Sequence, residues 1–430
     1  MIVVADDITG AAEIAGIAAT SGQKVRLVCC SLCCNSVAAY RTTDETTAIT
    51  TDETTAITTD ETTAITTDET SAIATDETTA IATDETTAIT TDETSAIATD
   101  ETTAIATDET TVIATDTRSL TEAEAMTEMR RIGTAVKGLS KGNAQFSIFK
   151  KTDSALRGHV VAELTSLMEA TGYQRAVYMP ANPSKGRIIR DGVYYINGKP
   201  IHETDFSFDP EFPARTSVLK ERFPDAERLG IVMPDAESEK DIRHVIAKYH
   251  DGHTLFAGAA DLFKGMMVRQ SSVNAPISCR GKLSNALILC GSTQSKPLDL
   301  GISICPMPRE VYDGRQGADY WFQHLTPNTP SLILTIPYTH RTGKEVAVHL
   351  RTVMAEMTKR LAALQRPDQL IIEGGATAWA TLQALGWTQF DDIRQIAPGV
   401  VQMSATNGTL VTLKPGSYPW GNLFNPSGNK

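Results

Sequence analysis

The chain has 430 residues, 39 basic against 52 acidic, and a net charge of −13. That acidity sits in one place: nine copies of an octad of the type TDETTAIT fill residues 43–114 with 18 carboxylates, and the other 358 residues carry 39 basic against 34 acidic, a net +5. The charge therefore implies no cationic partner for the remainder, no run reaches the ~20 apolar residues of a membrane span, and seven cysteines, an odd number, argue for a reducing cytoplasm over a disulfide framework.

In chain order, MIVVA predicts a strand that lacks the basic start of a signal peptide. GAAEIAGIAATSG predicts a small-residue helix closed by Gly22, and KVRLVCC a second strand. The octads follow. Thr and Ile favour strands, and a helix would turn its face by ~80° per octad, so no apolar stripe could build. One Ile per octad is too little to offset chain entropy, and a mobile or weakly β-structured excursion is expected.

After the repeat, VIATD reads as a strand and SLTEAEAMTEMRRIGTAVKGL as a helix, and the strand series continues through QFSIFKKTD, AVYMP, LGIVMPDA and TLFAGAA. DGVYYINGKPIHE interrupts it with a hairpin around Asn197-Gly198. Residues 269–285 read as a polar linker. Beyond them ALILCGS, SLILTIP, LIIEGGATA and TLVTLKPGS predict further strands, three running into small or Gly-rich turns. Strands alternating with helices define an α/β class of two domains with largely parallel sheets, residues 1–268 and 286–430, in which ligands bind beyond the carboxyl ends of strands.

Four constellations carry chemistry. In ADDITGAAE, Asp6 and Asp7 leave a strand and meet a helix start; they can accept a hydroxyl proton or help hold a metal, or simply cap the helix. In FKKTDSALRGH, Lys150, Lys151, Asp153, Ser154 and Arg157 can clamp a carboxylate and read hydroxyls, or form a surface ion-pair patch. PANPSKGRIIRDG presents Asn182, Lys185 and Arg187 on a proline-fixed loop. The C-terminal turns at Gly291-Ser292, Gly374-Gly375-Ala376-Thr377 and Lys414-Pro415-Gly416 allow close backbone approach to a phosphate, or are ordinary connections. No Walker-type loop or dinucleotide fingerprint is present. Cysteines 29, 30, 33 and 34 are too closely interleaved for a usual metal site, and no metal ligand is assigned.

In this order the motifs resemble the four-carbon acid sugar kinase family: ADDITGAAE, ATDTRSL, KKTDSALRG, MPANPSKGRIIRDGVYYINGKPIHET, VMPDAES, LFAGAADL, LCGSTQ, GGATA and LVTLKPGSY. The likeness covers the chain apart from the octads. It implies an N-terminal sugar-acid domain, a C-terminal nucleotide domain, a cleft between them, and phosphorylation of a hydroxyl of a threonate- or erythronate-like acid with ATP and Mg²⁺. Carried over, Asp7 and Asp153 are the catalytic candidates. Asp6, Lys151, Arg157, Asn182 and Arg187 fall in substrate motifs, with Arg157, helped by Lys151, pairing the acid's carboxylate. Gly291, Ser292, Gly374, Gly375, Thr377, Lys414 and Gly416 fall in nucleotide motifs.

The expected partners are a sugar acid and ATP, neither a nucleic acid nor a membrane, with a second copy of the chain as a further candidate. The chain departs from the family at Glu13, Ala155 and Ala376, the last standing where an acid is usual. A non-catalytic binder of the same fold is the alternative reading, and a surface function of the repeat a third. The family places a core strand at the final octad, so Asp116 alone of the repeated aspartates is expected near the site.

Overall fold

The computed structural model describes residues 1–30, 109–139, 147–209, 211–267, 283–291, 298–325, 330–341, 343–416, 420, 423 and 424. The readings of the octads before residue 109, of Cys33 and Cys34, of Ser292 and of nearly all of the linker lie outside them. The chain divides into two compact units. One comprises Met1, Leu32–Glu109 and Ala135–Phe146 and falls almost wholly outside the described residues; the other, Ile2–Ser31, Thr110–Thr134 and Ser147–Lys430, carries the site described below.

The N-terminal strands are β1 (Ile2–Ala5), β2 (Lys24–Cys29), β3 (Glu109–Ala114), β4 (Ile148–Lys151) and β5 (Arg175–Met179). They continue with β6 (Arg187–Arg190), β7 (Val193–Ile196), β8 (Lys199–Pro200), β9 (Ile231–Val232) and β10 (Thr254–Gly258). The C-terminal strands are β11 (Ala286–Cys290), β12 (Ser303–Pro306), β13 (Leu332–Thr335), β14 (Gln369–Glu373), β15 (Gln389–Ala397), β16 (Val400–Ala405) and β17 (Leu410–Lys414). The longer helices are α1 (Ile8–Thr20), α2 (Glu122–Leu139), α3 (Val160–Thr171), α4 (Glu239–Tyr249), α5 (Ala260–Met267), α6 (Lys344–Gln365) and α7 (Gly375–Leu385).

Both halves contribute to one 14-stranded sheet in the order β12-β13-β11-β14-β17-β16-β15-β2-β3-β1-β4-β10-β5-β9. The sheet is parallel over β3-β1-β4-β10-β5-β9 and again over β12-β13-β11-β14-β17. Between them lies an antiparallel joint in which β17 pairs β16, β16 pairs β15, and β15 pairs β2 through Gln389–Val28 and Phe390–Leu27. The two predicted sets of strands are thus the two sides of one sheet. Their burial on both faces explains the near-continuous apolar runs IVVA, LFAG, ALILC and LIIE.

The final octad is structural: β3 lies between β2 and β1, with Thr111, Val112, Ile113 and Ala114 in register with Ile2, Val3, Val4 and Ala5. Helix α1, rich in Ala because it is enclosed, packs on β2, β15 and α7. In α2, Ala125, Met129 and Ile132 are fully buried at helical spacing.

The predicted single hairpin around Asn197-Gly198 is two successive turns, Asp191-Gly192 and Asn197-Gly198, joining β6, β7 and β8 in a small separate sheet. Each pair takes left-handed backbone angles, as tight hairpin turns require. No helix among the described residues is long and apolar enough to cross a membrane.

Candidate active site

Parallel strands end on the same side of a sheet, so β1, β3 and β4 deliver Asp6-Asp7, Thr115–Arg118 and Thr152–Arg157 to one place. Asp7 caps α1: its Oδ1 accepts from Gly10 N at 2.7 Å and its Oδ2 from Thr9 Oγ1 at 3.0 Å. The capping alternative is therefore real, but it does not exhaust the residue. Arg118 Nη2 donates to Asp7 Oδ2 at 2.6 Å, and Arg118 Nη1 to Asp153 Oδ1 at 3.3 Å.

Asp153 is held from several sides. Arg157 forks onto it with Nε–Oδ2 of 3.0 Å and Nη2–Oδ1 of 2.8 Å, and the Ala155 N–H donates at 2.8 Å. Asp6 Oδ2 accepts from Asp153 N at 3.2 Å, whereas Asp6 Oδ1 is buried without a partner.

The carboxyl groups separate electrically. Burial and the neighbouring Asp7 charge push Asp6 up to about 6. Burial also acts to raise Asp7 and Asp153, but Arg118 and Lys151 outweigh it at Asp7, as Arg157 and Arg118 do at Asp153, so both stay below the ordinary carboxyl range. Asp116, in a left-handed conformation at φ 65°, is pushed up to about 6 by burial, against the Ser119 hydroxyl that donates to it at 2.5 Å. Its field includes Arg118, Asp7 and Arg351 of α6, which places it beside the site as expected.

Lys151 is buried, and its Nζ donates to Thr152 O at 2.9 Å. A Cβ on Gly10 would lie 3.0 Å from that Nζ and 2.6 Å from Asp7 Oδ1, so glycine lets the lysine approach the start of α1. Lys150 points elsewhere, pairing with Glu163 Oε2 at 2.7 Å, which also accepts from Thr117 Oγ1 at 3.0 Å. The helix that follows this cluster begins only at Val160, because Leu156 and Gly158 both have positive φ.

Asn182 is buried as a brace: its Oδ1 accepts from Asp261 N at 3.1 Å, while Ser184 N and Oγ donate to Asp261, each at 2.8 Å. Lys185 bonds Glu13. Arg187 bonds the Ser154 hydroxyl and lies over the Phe206 ring, 5.6 Å from its centroid.

In the C-terminal half, in-register pairing aligns the ends of β11, β14 and β17. Gly291 must be glycine, since a Cβ there would stand 2.7 Å from Thr377 Cβ and 2.8 Å from Glu373 O. Gly374, at φ 99°, precedes α7, and its N–H donates to Lys414 O at 2.8 Å. A Cβ on Gly375 would sit 3.2 Å from Thr9 Oγ1 and 3.6 Å from Asp7 Oδ2. The starts of α1 and α7 therefore face each other at Asp7. Lys414, expected at a phosphate, is buried against Glu373 Oε1 at 2.5 Å and donates to Pro415 O and Gly416 O at 3.0 and 3.3 Å. Thr377 is buried beneath the turn, and Gly416 is exposed.

Arg118 is the residue that motif reading left out of the site. Its signal was the TRS tail of ATDTRSL, which reads as the fading end of the repeat. Among the described residues no group of three or more His, Cys, Asp or Glu side chains is arranged to hold a metal ion.

Two family models match the chain: a sugar-binding N-terminal domain over residues 1–228 and a nucleotide-binding C-terminal domain over 334–418. The chain belongs to the four-carbon acid sugar kinase family. It is similar to a D-threonate kinase of Salmonella typhimurium, 39% identical over 74 residues, 17% of this chain and 18% of that one. It is similar at greater length to a 3-oxo-tetronate kinase of Brucella melitensis, 23% identical over 359 residues, 70% of this chain and 81% of that one. The stronger of these identities thus spans under a fifth of the relative's length. Solved proteins from Haemophilus influenzae and Salmonella typhimurium share the fold, with TM-scores of 0.60 and 0.63 at 16% and 17% identity. These cover 99% and 100% of this chain and 98% of each of those.

Proposed function

We propose that the chain is an ATP-dependent kinase that phosphorylates a hydroxyl of a four-carbon sugar acid in a cleft between its N- and C-terminal halves. One observation carries the reading: the Asp7 carboxylate lies 3.6 Å from where a side chain on Gly375 would begin, so the acid cluster opens onto the glycine turn. Glycine at 291 and 375 lets the turn pack closely on Thr377 and Thr9, and the start of α7 offers N–H donors to an anion, which fits a nucleotide phosphate there. Mg²⁺ would arrive with that nucleotide, supplying charge neutralisation.

Phosphoryl transfer asks the protein chiefly to position and to balance charge. Asp7, kept ionised by Arg118 and Lys151, accepts the hydrogen bond of the attacking hydroxyl and orients it. Lys151, near the start of α1, meets the charge that develops on the transferred group. Asp153, bound by two arginines, holds the geometry. Lys414, locked by Glu373, shapes the turn and reaches a phosphate only if that pair opens.

A coupled ADP-release assay over a panel of four-carbon acids tests the proposal. Turnover on at least one acid is expected. A second reading, a binder without turnover, is favoured by Ala376, which places a methyl where the family has an acid. Saturable binding of an acid with no ADP release on the whole panel would establish it instead.

A further inference from the structure

The cations around the acid cluster differ in how far their charge is already answered. Arg118 faces Asp7 and Asp153, Arg157 faces Asp153 and Asp209, Lys185 faces Glu13, and Lys150 faces Glu163. Arg157 in particular would have to release its fork on Asp153 before it could take a ligand's carboxylate. Of the three cations in the candidate substrate motifs, two have no carboxylate at ion-pair distance among the described residues. Lys151 is one, with its ammonium turned to the Thr152 carbonyl.

Arg187 is the other. It is half-buried, its Nη1 donates to the neutral Ser154 hydroxyl, and its guanidinium shares the Phe206 ring with Arg157, at 5.6 and 5.9 Å from the centroid. Its backbone is fixed, since Asn182 N donates to Arg187 O at 2.8 Å and Arg187 N to Asn182 O at 3.2 Å. A guanidinium whose only side-chain hydrogen bond goes to a neutral hydroxyl keeps its charge available for an anion. Its planar fork suits a carboxylate in two-point contact.

We propose that Arg187, and not Arg157, takes the carboxylate of the substrate, with Ser154 and Phe206 setting the guanidinium plane. This rests on the reading of the substrate as a four-carbon acid. Arg187 is then the residue that separates a sugar acid from the neutral tetritol of the same chain length.

The test compares the full chain with its Arg187→Gln and Arg187→Lys variants, measuring kcat and KM for the acid, for the tetritol and for ATP. Arg187→Gln should raise the acid's KM ~10- to 100-fold, the span of one lost charge-assisted contact. It should leave the KM for ATP and the activity on tetritol within about twofold, with Arg187→Lys between the two. An acid KM within about threefold of the parent overturns the proposal, as does an unchanged preference for acid over tetritol.

If the parent turns over no acid, the kinase reading fails, and calorimetric titration with the acid alone decides the Arg187 assignment separately. Binding by the parent that Arg187→Gln abolishes supports it; equal binding, or none by the parent, overturns it. Loss of a cooperative melting transition in both variants would make Arg187 structural and overturn it as well.

Discussion

Arg118 and Asp7 stand 111 residues apart in the chain, and the guanidinium of one donates to the carboxylate of the other at 2.6 Å. The contact ties the turn after β3 to the cap of α1. Because Arg118 also reaches Asp153, one side chain joins the ends of three neighbouring strands.

Arg118→Leu should therefore leave two buried carboxylates short of a shared cation. About 3 kcal/mol of stability should be lost, toward the lower end for a broken buried pair because Arg118 keeps some solvent contact. Chemical denaturation measures this. Arg118→Lys should recover only part, since an ammonium cannot fork across both acids.

Stability should depend on pH through Asp6 in an unusual sense. Its folded carboxyl, at about 6 against an ordinary 3.8, binds a proton more tightly than the unfolded chain does. Stability from this group is thus present below the ordinary value and lost as pH rises toward 6. Asp7 and Asp153 act oppositely, adding stability above the ordinary carboxyl range that is lost on acidification. Asp6→Asn removes the first effect and, by taking away a neighbouring acid, leaves Asp7 below the ordinary carboxyl range. Between about pH 4.5 and 7.5 it should gain stability relative to the parent, read from denaturation at both values. A difference that is flat with pH would contradict the assignment.

The buried Lys414–Glu373 pair should behave as a unit. Lys414→Met alone leaves Glu373 charged and enclosed, and should cost about 3–5 kcal/mol. Combining it with Glu373→Gln should restore most of that loss. A double-mutant cycle with no coupling would mean the lysine holds the turn by its other contacts.

Eight whole octads, residues 43–106, should be removable without loss of the sheet or of activity, since β3 and Arg118 remain. Removing residues 43–114 deletes β3 from between β2 and β1 and should abolish folding. Circular dichroism and thermal melting of the two deletions separate these outcomes.

Much of this was legible in the sequence. Apolar runs marked β1, β4, β10, β11 and β14, and Asp7 and Gly375 were singled out from local motifs. What escaped depends on distant partners. The antiparallel joint of β15 and β16 shows too little alternation to declare itself, because β15 carries bulges between Asp391 and Arg394 and between Gln395 and Ala397. The motif around Lys414 does not reveal its ion pair with Glu373, 41 positions earlier. Arg118 is hidden by the repeat it follows. LGIVMPDA yields only two residues of strand, since β9 pairs on one side only, at the edge of the sheet.

The central claim is that the acid cluster and the glycine turn form one phosphoryl-transfer site. Direct detection of a phosphorylated four-carbon acid, formed by the full chain from ATP, tests it most closely when Asp7→Asn is run alongside. The account predicts product with the parent, and at least ~100-fold less with Asp7→Asn while ATP binding persists. Product formed equally by the variant, or no phosphorylated acid from any member of the panel, would contradict it.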